Sequence, residues 1–288
     1  VYDYIKDMKT VGVLKETDTI TEIGVPMGIV AALTPSTNPT STAIYKTLIS
    51  LKAGNAIIVS PHPNAKDCVI DTVKLMQNAA GAPVGLIGVI EIPTMEGTNE
   101  LMKSKDTSII LATGGEAMVR AAYSSGRPAI GVGPGNGPAF IEKSANVKEA
   151  VRKIVESKTF DNGVICASEQ SVIVEPCNKE AVMEEFRKQG GYFLSKEESE
   201  KLGRFILRAN GTMNPQIVGK DAQTLAKLSG LNIPSNVKLL LSEQSTVSKS
   251  NPYSREKLTT ILAFYVEDNP EKACERAIEL LENDSLWK

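Results

Sequence analysis

The chain alternates between short apolar runs and longer stretches in which apolar residues recur at helical spacing. Short apolar runs that are bounded by turn-forming residues are typical of buried strands. The runs predicted as strands are Gly28–Thr34, Ala56–Val59, Leu86–Ile92, Ser108–Ala112, Pro138–Ile141, Ser171–Val174, Val237–Leu241 and Thr260–Tyr265. Most of the intervals between these runs carry the signals of a helix.

Helices are predicted in these intervals because apolar residues recur three and four positions apart. In the first, Ile44, Leu48 and Leu51 share one face, and Gly54 is placed to end the helix. Charged amphipathic helices are predicted from Lys179 to Leu207. The predicted N-caps are three asparagines that precede helical patterns, Asn64, Asn146 and Asn269.

Strand and helix signals follow one another through most of the chain, which predicts an α/β fold with doubly wound parallel sheets and right-handed crossovers. A change of composition falls at residues 131–137, where four of seven residues are glycine and one is proline. Such a segment suits a domain boundary. We therefore expect a first domain of residues 1–136 and a second of residues 137–288.

The composition excludes several classes of function. The 288 residues have a net charge of −2, so the sequence has no basic footprint for nucleic acid or an anionic membrane. No apolar run approaches the length of a membrane span, and no signal peptide is recognisable. We expect neither a nucleic-acid nor a membrane partner. Because the sequence starts at Val1, we also expect it to be part of a longer protein.

The cysteines and the single histidine, His62, do not form a metal-binding pattern, because there is no CxxC pair. Few, unpatterned cysteines suit a reducing cytoplasm. The sequence predicts Cys274 and Cys68 to be packed as small apolar residues, Cys274 because it lies at helical spacing from Ile278 and Leu281. Cys177 falls in a polar turn.

Cys166 lies in a different setting. The residues Asp161-Asn162-Gly163 break the chain after a helix, and small residues follow the cysteine. A reactive thiolate needs an open, polar site that is rich in backbone groups, and such a loop supplies one. Cys166 is therefore the candidate nucleophile among the four cysteines.

The segment 157–172, SKTFDNGVICASEQSV, resembles the active-site segment of the aldehyde dehydrogenase superfamily. The similarity is to its CoA-acylating acetaldehyde and propionaldehyde dehydrogenases, a branch that includes the N-terminal half of bifunctional aldehyde–alcohol dehydrogenases. Three further motifs carry the resemblance: TPSTNPTSTAIYKTLISLKAGNAIIVSPHPNAKD at 34–67, ILATGG at 110–115 and SSGRPAIGVGPGN at 124–136. The resemblance runs along nearly all of the chain.

The resemblance implies that Cys166 attacks the aldehyde carbonyl. It also implies that the side-chain amide of Asn38 and the backbone N–H of Cys166 form an oxyanion hole, which stabilises the negative charge that develops on oxygen. Hydride then passes to NAD, and coenzyme A resolves the resulting thioester. From the residues alone, Asn38 is an ordinary turn residue before Pro39.

A dinucleotide fingerprint of the GxGxxG type is absent, because Asn136 stands where the last glycine belongs. The resemblance instead implies cofactor contacts at strand ends and at a helix start. These residues are Thr34, Pro35 and Ser36; Ser60, His62 and Pro63 near adenosine; Thr113, Gly114 and Gly115 at the pyrophosphate; Gly133 near nicotinamide; and Glu256 at its ribose. Taken singly, each glycine is equally a turn glycine and Glu256 equally a surface charge.

Hydrolytic aldehyde dehydrogenases carry a glutamate base in an ELGG-like motif, and that glutamate aligns on Val132. A valine cannot activate water, so the departure favours transfer to CoA. Three alternatives stay open: a hydrolytic aldehyde dehydrogenase, an NAD-independent cysteine acyltransferase or hydrolase, and a non-catalytic fragment or assembly scaffold. The second would need a histidine base, and His62 lies in a Pro-His-Pro turn.

The resemblance also implies the partners and the location. The substrates are a short-chain aldehyde and its acyl-CoA, and the assembly is a homo-oligomer. The expected location is the cytoplasm, including bacterial microcompartments. The sequence leaves the aldehyde's chain length and the direction of the reaction open.

Overall fold

A computed structural model of the protein describes residues 1–81 and 83–284. The chain divides into two compact units, unit 1 (Val1–Gly133) and unit 2 (Pro134–Lys288). This division and the expected boundary after Asn136 both fall in the glycine-rich segment 131–137. Residues 285–288 of the expected second domain lie outside the described residues.

Unit 1 contains a five-stranded parallel sheet and an antiparallel hairpin. Its strands are β1 (Gly12–Glu16), β2 (Thr21–Gly24), β3 (Ile29–Leu33), β4 (Ala56–Ser60), β5 (Ile87–Val89), β6 (Thr107–Thr113) and β7 (Ala129–Val132). Its helices are α1 (Tyr2–Ile5), α2 (Pro39–Lys52), α3 (Lys66–Ala80), α4 (Met95–Lys103) and α5 (Glu116–Tyr123). The order of strands in the sheet is β5-β4-β3-β6-β7, and β1 pairs with β2.

Helices cover both faces of this sheet, as expected for a doubly wound fold. The central strand β3 is buried on both sides, and its small residues let the helices pack closely. Ala32 faces α2 and α3, in a cluster that includes Ala43 and Val69. Ala31 faces α4 and α5, in a cluster that includes Met102 and Ala122.

Unit 2 is built on a second five-stranded parallel sheet, with the strand order β10-β11-β12-β9-β8. Its strands are β8 (Pro138–Ile141), β9 (Ser171–Val174), β10 (Gly191–Phe193), β11 (Leu239–Glu243) and β12 (Ile261–Val266). Its helices are α6 (Val147–Thr159), α7 (Lys179–Lys188), α8 (Lys196–Ile206), α9 (Ala222–Ser229) and α10 (Pro270–Asp284).

The sheet of unit 2 is also covered on both faces. Val172 of β9 packs in a cluster with Val151 of α6 and Val182 of α7. Its neighbour Ile173 points to the other face, where the cluster includes Leu202, Leu225 and Leu280 of α8, α9 and α10. Because successive strand residues face opposite sides, the continuous apolar run of β9 suits a strand that is buried on both faces.

The predicted α/β class with parallel sheets is confirmed. The predicted strands Pro138–Ile141 and Ser171–Val174 have the predicted bounds. Asn146 caps α6 by accepting a hydrogen bond from the N–H of Glu149, and Asn269 caps α10 by accepting one from Lys272. The pattern missed the hairpin β1–β2, the strands β7 and β10, and the helices α1 and α9.

The prediction that Asn64 caps a helix was wrong. Helix α3 begins at Lys66, and the residues 63–65 before it form a single 3-10 turn. Within that turn the backbone N–H of Asn64 donates to the ring of His62 over 3.1 Å. A proline at the first position of the turn, Pro63, favours this early tight start.

The prediction that Cys68 and Cys274 are buried was also wrong, since both side chains are exposed. On α10 the buried positions are Ala273 and Leu280. Cys274 lies one residue beyond Ala273, so it shares the outward face of the helix with Ile278, which is exposed. The apolar stripe of the sequence was therefore assigned to the wrong side of this helix.

Neither a membrane-crossing helix nor a metal-binding group occurs within residues 1–81 and 83–284. None of the helices there has both the length and the apolar character needed to cross a membrane. In the same ranges, no three side chains of the His, Cys, Asp and Glu types are grouped to hold a metal ion.

Candidate active site

The carboxyl ends of the parallel strands of unit 1 meet along one edge of the sheet. Leu33, at the end of β3, is in register with Ser60 of β4 and Ala112 of β6. The N–H of Thr34 donates to the carbonyl of Ser60 over 3.0 Å. Parallel sheets bind ligands at this edge. The sequence-predicted residues Thr34, Ser60 and Thr113 therefore lie side by side where such a ligand would sit.

Two hydroxyls at this edge have unused hydrogen-bonding capacity. The side-chain oxygens of Thr34 and Thr113 are buried and have no hydrogen-bond partner among the described residues. Buried polar atoms usually have partners, so these two mark an edge that suits a polar ligand. The hydroxyl of Ser60 differs, because it is already paired with Thr98 at 2.9 Å.

Helix α5 starts at the same edge. Gly115 is its N-cap and contributes no side-chain hydrogen bond, so the first N–H groups of the helix remain available. The N–H of Gly114 is used by the sheet, since it donates to the carbonyl of Val132 over 3.1 Å. A Cβ added at Gly115 would meet nothing within 4 Å. The helix start is thus open to a phosphate group.

His62 and Pro63 follow β4 at this edge, and Gly133 follows β7. The Nδ1 atom of His62 accepts the N–H of Asn64, so the ring carries its proton on Nε2. Partial burial lowers the pKa of His62 below its usual range. The imidazole is therefore neutral at pH 7 and offers one N–H donor.

Asn38 also lies at this end of unit 1, directly before α2. Although it is the N-cap residue, its side chain makes no capping hydrogen bond. Its side-chain oxygen accepts the hydroxyl of Thr37 at 3.2 Å. The amide nitrogen of Asn38 makes no hydrogen bond with any residue that the structure describes. The N–H groups of this side chain are therefore available as donors.

The candidate nucleophile lies in unit 2, on the segment that follows α6. Asp161, Asn162 and Gly163 have positive φ angles of 46°, 51° and 69°. A Cβ at Gly163 would lie 2.8 Å from the carbonyl oxygens of Lys158 and Thr259, so only glycine fits. The predicted chain break before Cys166 is thus confirmed, and this tight turn ends the helix and leads the chain to Cys166.

Cys166 is half-buried and faces a carboxylate. Burial raises the pKa of its thiol above the usual range, and the negative charge of Glu256 raises it further. Hydrogen bonds from the backbone N–H groups of Cys166 and Ala167 act in the opposite direction. The resting thiol is therefore mostly protonated at pH 7, while two backbone donors stabilise the thiolate once it forms.

Glu256 is buried beside this loop rather than exposed as a surface charge, with 9% of its area accessible. Its Oε1 atom accepts the backbone N–H of Gly135 over 2.9 Å. Gly135 also packs against the nucleophile, because a Cβ there would lie 2.8 Å from the carbonyl oxygen of Cys166. Cys166, Glu256 and Gly135 therefore form one cluster.

The same cluster contains Lys158 and Gln170. No role in the site was predicted from the sequence for these two residues or for Gly135. Lys158 is fully buried, and its Nζ atom donates to the side chains of Ser168 and Gln170, at 3.3 Å each. Burial lowers the pKa of Lys158 to about 7. The sequence did contain a sign that Lys158 is buried, because Lys158 lies on the same face of α6 as the buried residues Val151 and Val155.

The predicted residues thus fall into two groups. Asn38 and the cofactor residues from Thr34 to Gly133 belong to unit 1, whereas Cys166 and Glu256 belong to unit 2. Val132, where the resemblance predicts the base of hydrolytic relatives, is the last residue of β7 and is exposed within unit 1.

Comparisons with known proteins show which family the chain resembles. The chain is 50% identical over 286 residues to the bifunctional aldehyde-alcohol dehydrogenase AdhE of Escherichia coli K12, covering 98% of this chain and 32% of that protein. A probable aldehyde dehydrogenase from Listeria monocytogenes EGD-e is 60% identical with a TM-score of 0.96. An acetylating aldehyde dehydrogenase from Geobacillus thermoglucosidasius is 53% identical with a TM-score of 0.94.

Both solved structures cover 99% of this chain, which in turn spans 64% of each of them. The chain therefore spans less than two thirds of the relatives that it matches. The sequence model of the aldehyde dehydrogenase family matches residues 3–254 of the chain. On this evidence the chain belongs to the aldehyde dehydrogenase family.

Proposed function

We propose that the protein catalyses the reversible, NAD-dependent oxidation of a short-chain aldehyde to acyl-CoA through a thioester on Cys166. The observation that carries the proposal is the cysteine loop, in which Cys166 follows the tight turn at Asp161 to Gly163 and packs against Gly135, whose N–H binds Glu256. A related propionaldehyde dehydrogenase from Rhodopseudomonas palustris, 31% identical, has been solved with bound CoA and an acylated cysteine.

In this proposal the thiol of Cys166 first loses its proton to solvent. The sulfur then bonds to the aldehyde carbon, and the electrons of the C=O double bond move to the oxygen. The amide of Asn38 and the backbone N–H of Cys166 donate to that oxygen. The C–S bond is kept when the carbon is oxidised to a thioester. The thiol of CoA then gives its proton to solvent as its sulfur bonds to the thioester carbon, and the Cys166 thiolate leaves.

We assign the binding of NAD to the strand edge of unit 1, because the unpaired hydroxyls of Thr34 and Thr113 and the open start of α5 at Gly115 suit a polar, phosphate-bearing ligand. Pro35, Ser36, Ser60, His62, Pro63, Gly114 and Gly133 complete that proposed edge. Glu256 is proposed to meet the nicotinamide ribose.

CoA, rather than water, is the proposed acceptor of the acyl group. The position of the base in hydrolytic relatives is Val132, which carries no group that binds a proton. The neutral His62 follows β4 in unit 1, where we assign it to adenosine. A hydrolytic aldehyde dehydrogenase is the second candidate function, and a high rate of water-dependent turnover would favour it.

Two expectations about the whole protein are also proposals. The hairpin β1–β2 exposes Val13, Leu14 and Ile23, and an apolar hairpin of this kind supports a homo-oligomer. A related propionaldehyde dehydrogenase belongs to a bacterial microcompartment of Clostridium phytofermentans, which supports a cytoplasmic or microcompartment location. Size measurement in solution and localisation of the tagged protein test these two points.

The experiment that tests the function follows NADH absorbance after acetaldehyde, NAD and CoA are mixed with the purified protein. We expect sustained NADH formation together with acetyl-CoA, identified by mass spectrometry. The reverse reaction, in which acetyl-CoA and NADH give acetaldehyde, is expected as well. Formation of acetic acid at the same rate without CoA would support the hydrolytic alternative, and no NADH under any of these conditions would contradict the proposal.

A further inference from the structure

A charged side chain is buried directly beneath the nucleophile segment. Lys158, in the last turn of α6, has no exposed surface. Its Nζ atom lies 3.3 Å from the hydroxyl of Ser168 and 3.3 Å from the side-chain oxygen of Gln170. An apolar side chain of similar length would fill this space without the cost of burying an ammonium group. Packing alone therefore does not account for a lysine here.

The partners of Lys158 connect it to both sides of Cys166. The hydroxyl of Ser168 donates to the carbonyl of Gly163, which lies in the left-handed turn before the cysteine. The side-chain oxygen of Gln170 also accepts the backbone N–H of Lys257 over 3.0 Å. Lys257 is the neighbour of Glu256 in the chain. Through Ser168 and Gln170, the ammonium group of Lys158 thus connects the start and the end of the nucleophile segment with the loop before β12 that carries Glu256.

Two carboxylates lie close enough to Lys158 to favour its charge. Glu169 and Glu256 both act on its ammonium group and favour its charged form, in opposition to burial. The nearby Lys257 directs its own Nζ atom to the carbonyls of Tyr253 and Arg255. Because Glu256 also acts on the thiol of Cys166, the charge of Lys158 bears on the nucleophile through Glu256.

A second buried lysine provides a contrast. Lys46 in unit 1 has the same low exposure, and burial lowers its pKa to about 7 as well. Its Nζ atom donates to two backbone carbonyls, those of Leu33 and Leu111, so it ties strands together. Lys158 instead donates to side chains of the cysteine segment, Ser168 and Gln170, and its charge is favoured by Glu256.

We propose that Lys158 is a positioning residue that fixes the segment from Gly163 to Gln170 beneath Cys166 and, as a cation, offsets the charge of Glu256. Lys158 does not touch the reacting atoms, and it acts through the loop and the carboxylate. The inference rests on the proposed role of Cys166 as the nucleophile. It deepens that role by naming a buried group that positions the cysteine segment and favours the thiolate while it carries its proton.

The protonation of Lys158 and of Cys166 determines how the reactivity of the thiol depends on pH. Below pH 7 Lys158 is cationic and shields Cys166 from Glu256, so thiolate forms more readily than the raised pKa alone allows. As pH rises through about 7, Lys158 loses its proton and the shielding ends. The rate at which the thiolate reacts should therefore rise with pH in two stages, with an inflection near 7 and a second stage at the pKa of Cys166.

The test measures alkylation of Cys166 by iodoacetamide as a function of pH, without aldehyde, NAD or CoA. Mass spectrometry quantifies the Cys166 peptide, and the exposed Cys177 and Cys274 serve as internal references in the same unit. Lys158→Met removes both the hydrogen bonds and the charge. Lys158→Gln removes the charge and leaves a shorter side chain that still carries an N–H donor. Lys46→Met is the matched control for loss of a buried lysine.

We expect both Lys158 variants to lose the inflection near pH 7 and to alkylate Cys166 about threefold to tenfold more slowly at pH 6. Above pH 8, Lys158→Gln should rejoin the unmutated protein, whereas Lys158→Met should differ because its loop is loosened. Lys46→Met should keep the inflection. Cys177 and Cys274 should be unaffected in every variant.

An inflection that persists in Lys158→Gln would overturn the inference, as would its loss in Lys46→Met. Should Lys158→Met fail to fold, Lys158→Gln decides the question. Because the assay contains neither aldehyde nor cofactors, its outcome is distinguishable from a failure of the proposed dehydrogenase function. That function is tested separately by NADH formation.

Discussion

The backbone N–H of Gly135 donates to the carboxylate of Glu256 over 2.9 Å. This single contact ties the glycine-rich segment at the start of unit 2 to the carboxylate that raises the pKa of Cys166. The absence of a side chain at Gly135 matters as much as its N–H. A Cβ atom added to Gly135 would lie only 2.8 Å from the carbonyl oxygen of Cys166, which is too close for both atoms to keep their positions.

Replacing Gly135 by alanine should displace the nucleophile. The added methyl group cannot coexist with the Cys166 carbonyl, so the loop or the segment has to move. We expect turnover to fall about 10- to 100-fold, since small displacements of reacting groups are costly. Gly137→Ala is the control, because a Cβ there meets nothing within 4 Å. Equal activities of the two variants would contradict the packing argument.

Replacing Gly115 by valine should weaken NAD binding with little effect on folding. Gly115 has a φ of −65°, which suits any residue, and a Cβ there meets no described atom within 4 Å. The side chain would therefore enter the space that we assign to pyrophosphate. Calorimetry should show weaker NAD binding for Gly115→Val and a smaller loss for Gly115→Ala. Unchanged affinity of Gly115→Val would count against this placement.

Replacing Asn38 by alanine should reduce kcat while the protein stays stable. Because the Asn38 side chain makes no capping hydrogen bond, its loss should cost far less than the ~1 kcal/mol of a typical N-cap. Loss of one oxyanion donor typically lowers kcat by about 10²–10³. The control is Asn146→Ala, which removes a true cap on α6 and should lower the melting temperature. Normal kcat in Asn38→Ala would exclude the oxyanion role.

The Cys166 thiol should control the pH dependence. Since burial and Glu256 raise its pKa, the reactive thiolate is scarce at pH 7, and kcat/KM for the aldehyde should climb as pH rises beyond 8. Cys166→Ala should abolish acyl-CoA formation. Cys274→Ala should leave the rate unchanged, since Cys274 is exposed on the outer face of α10. Ordinary turnover by Cys166→Ala would remove the basis of the mechanism.

The apolar pattern predicted the central strands because they are buried on both faces. In β9 all four residues from Ser171 to Val174 are buried, so the run is uninterrupted and its bounds are clear. Helix caps were predictable where the asparagine starts the helix directly, as at Asn146. At Asn64 a proline-initiated 3-10 turn intervened, and local propensity did not reveal it.

Two strands, β7 and β10, were not predicted because each contains a glycine. Gly191 lies in β10, and a Cβ there would approach the carbonyl oxygen of Phe186 to 2.9 Å. Gly131 lies in β7, and a Cβ there would come within 2.5 Å of Val119 on α5. Both glycines allow a helix to pack closely on a strand. In sequence they suggest turns, because nothing local distinguishes close approach from a bend.

The site was predictable only in part, for a similar reason. Cys166 stands out because the turn-forming residues Asp161 to Gly163 precede it. Lys158 and Gln170 take their roles from contacts across the fold, such as the bond from the Lys257 N–H to Gln170. No local pattern specifies such a contact. The one local sign was a lysine on the apolar face of α6.

The most direct test of the central claim measures NADH formation by the purified protein with acetaldehyde and NAD, first without CoA and then after CoA is added. Without CoA the account predicts a burst of about one equivalent of NADH per Cys166, after which the reaction stalls as acyl-enzyme. Addition of CoA should start steady turnover. Continuous NADH formation with release of free acetic acid before CoA is added would contradict the account.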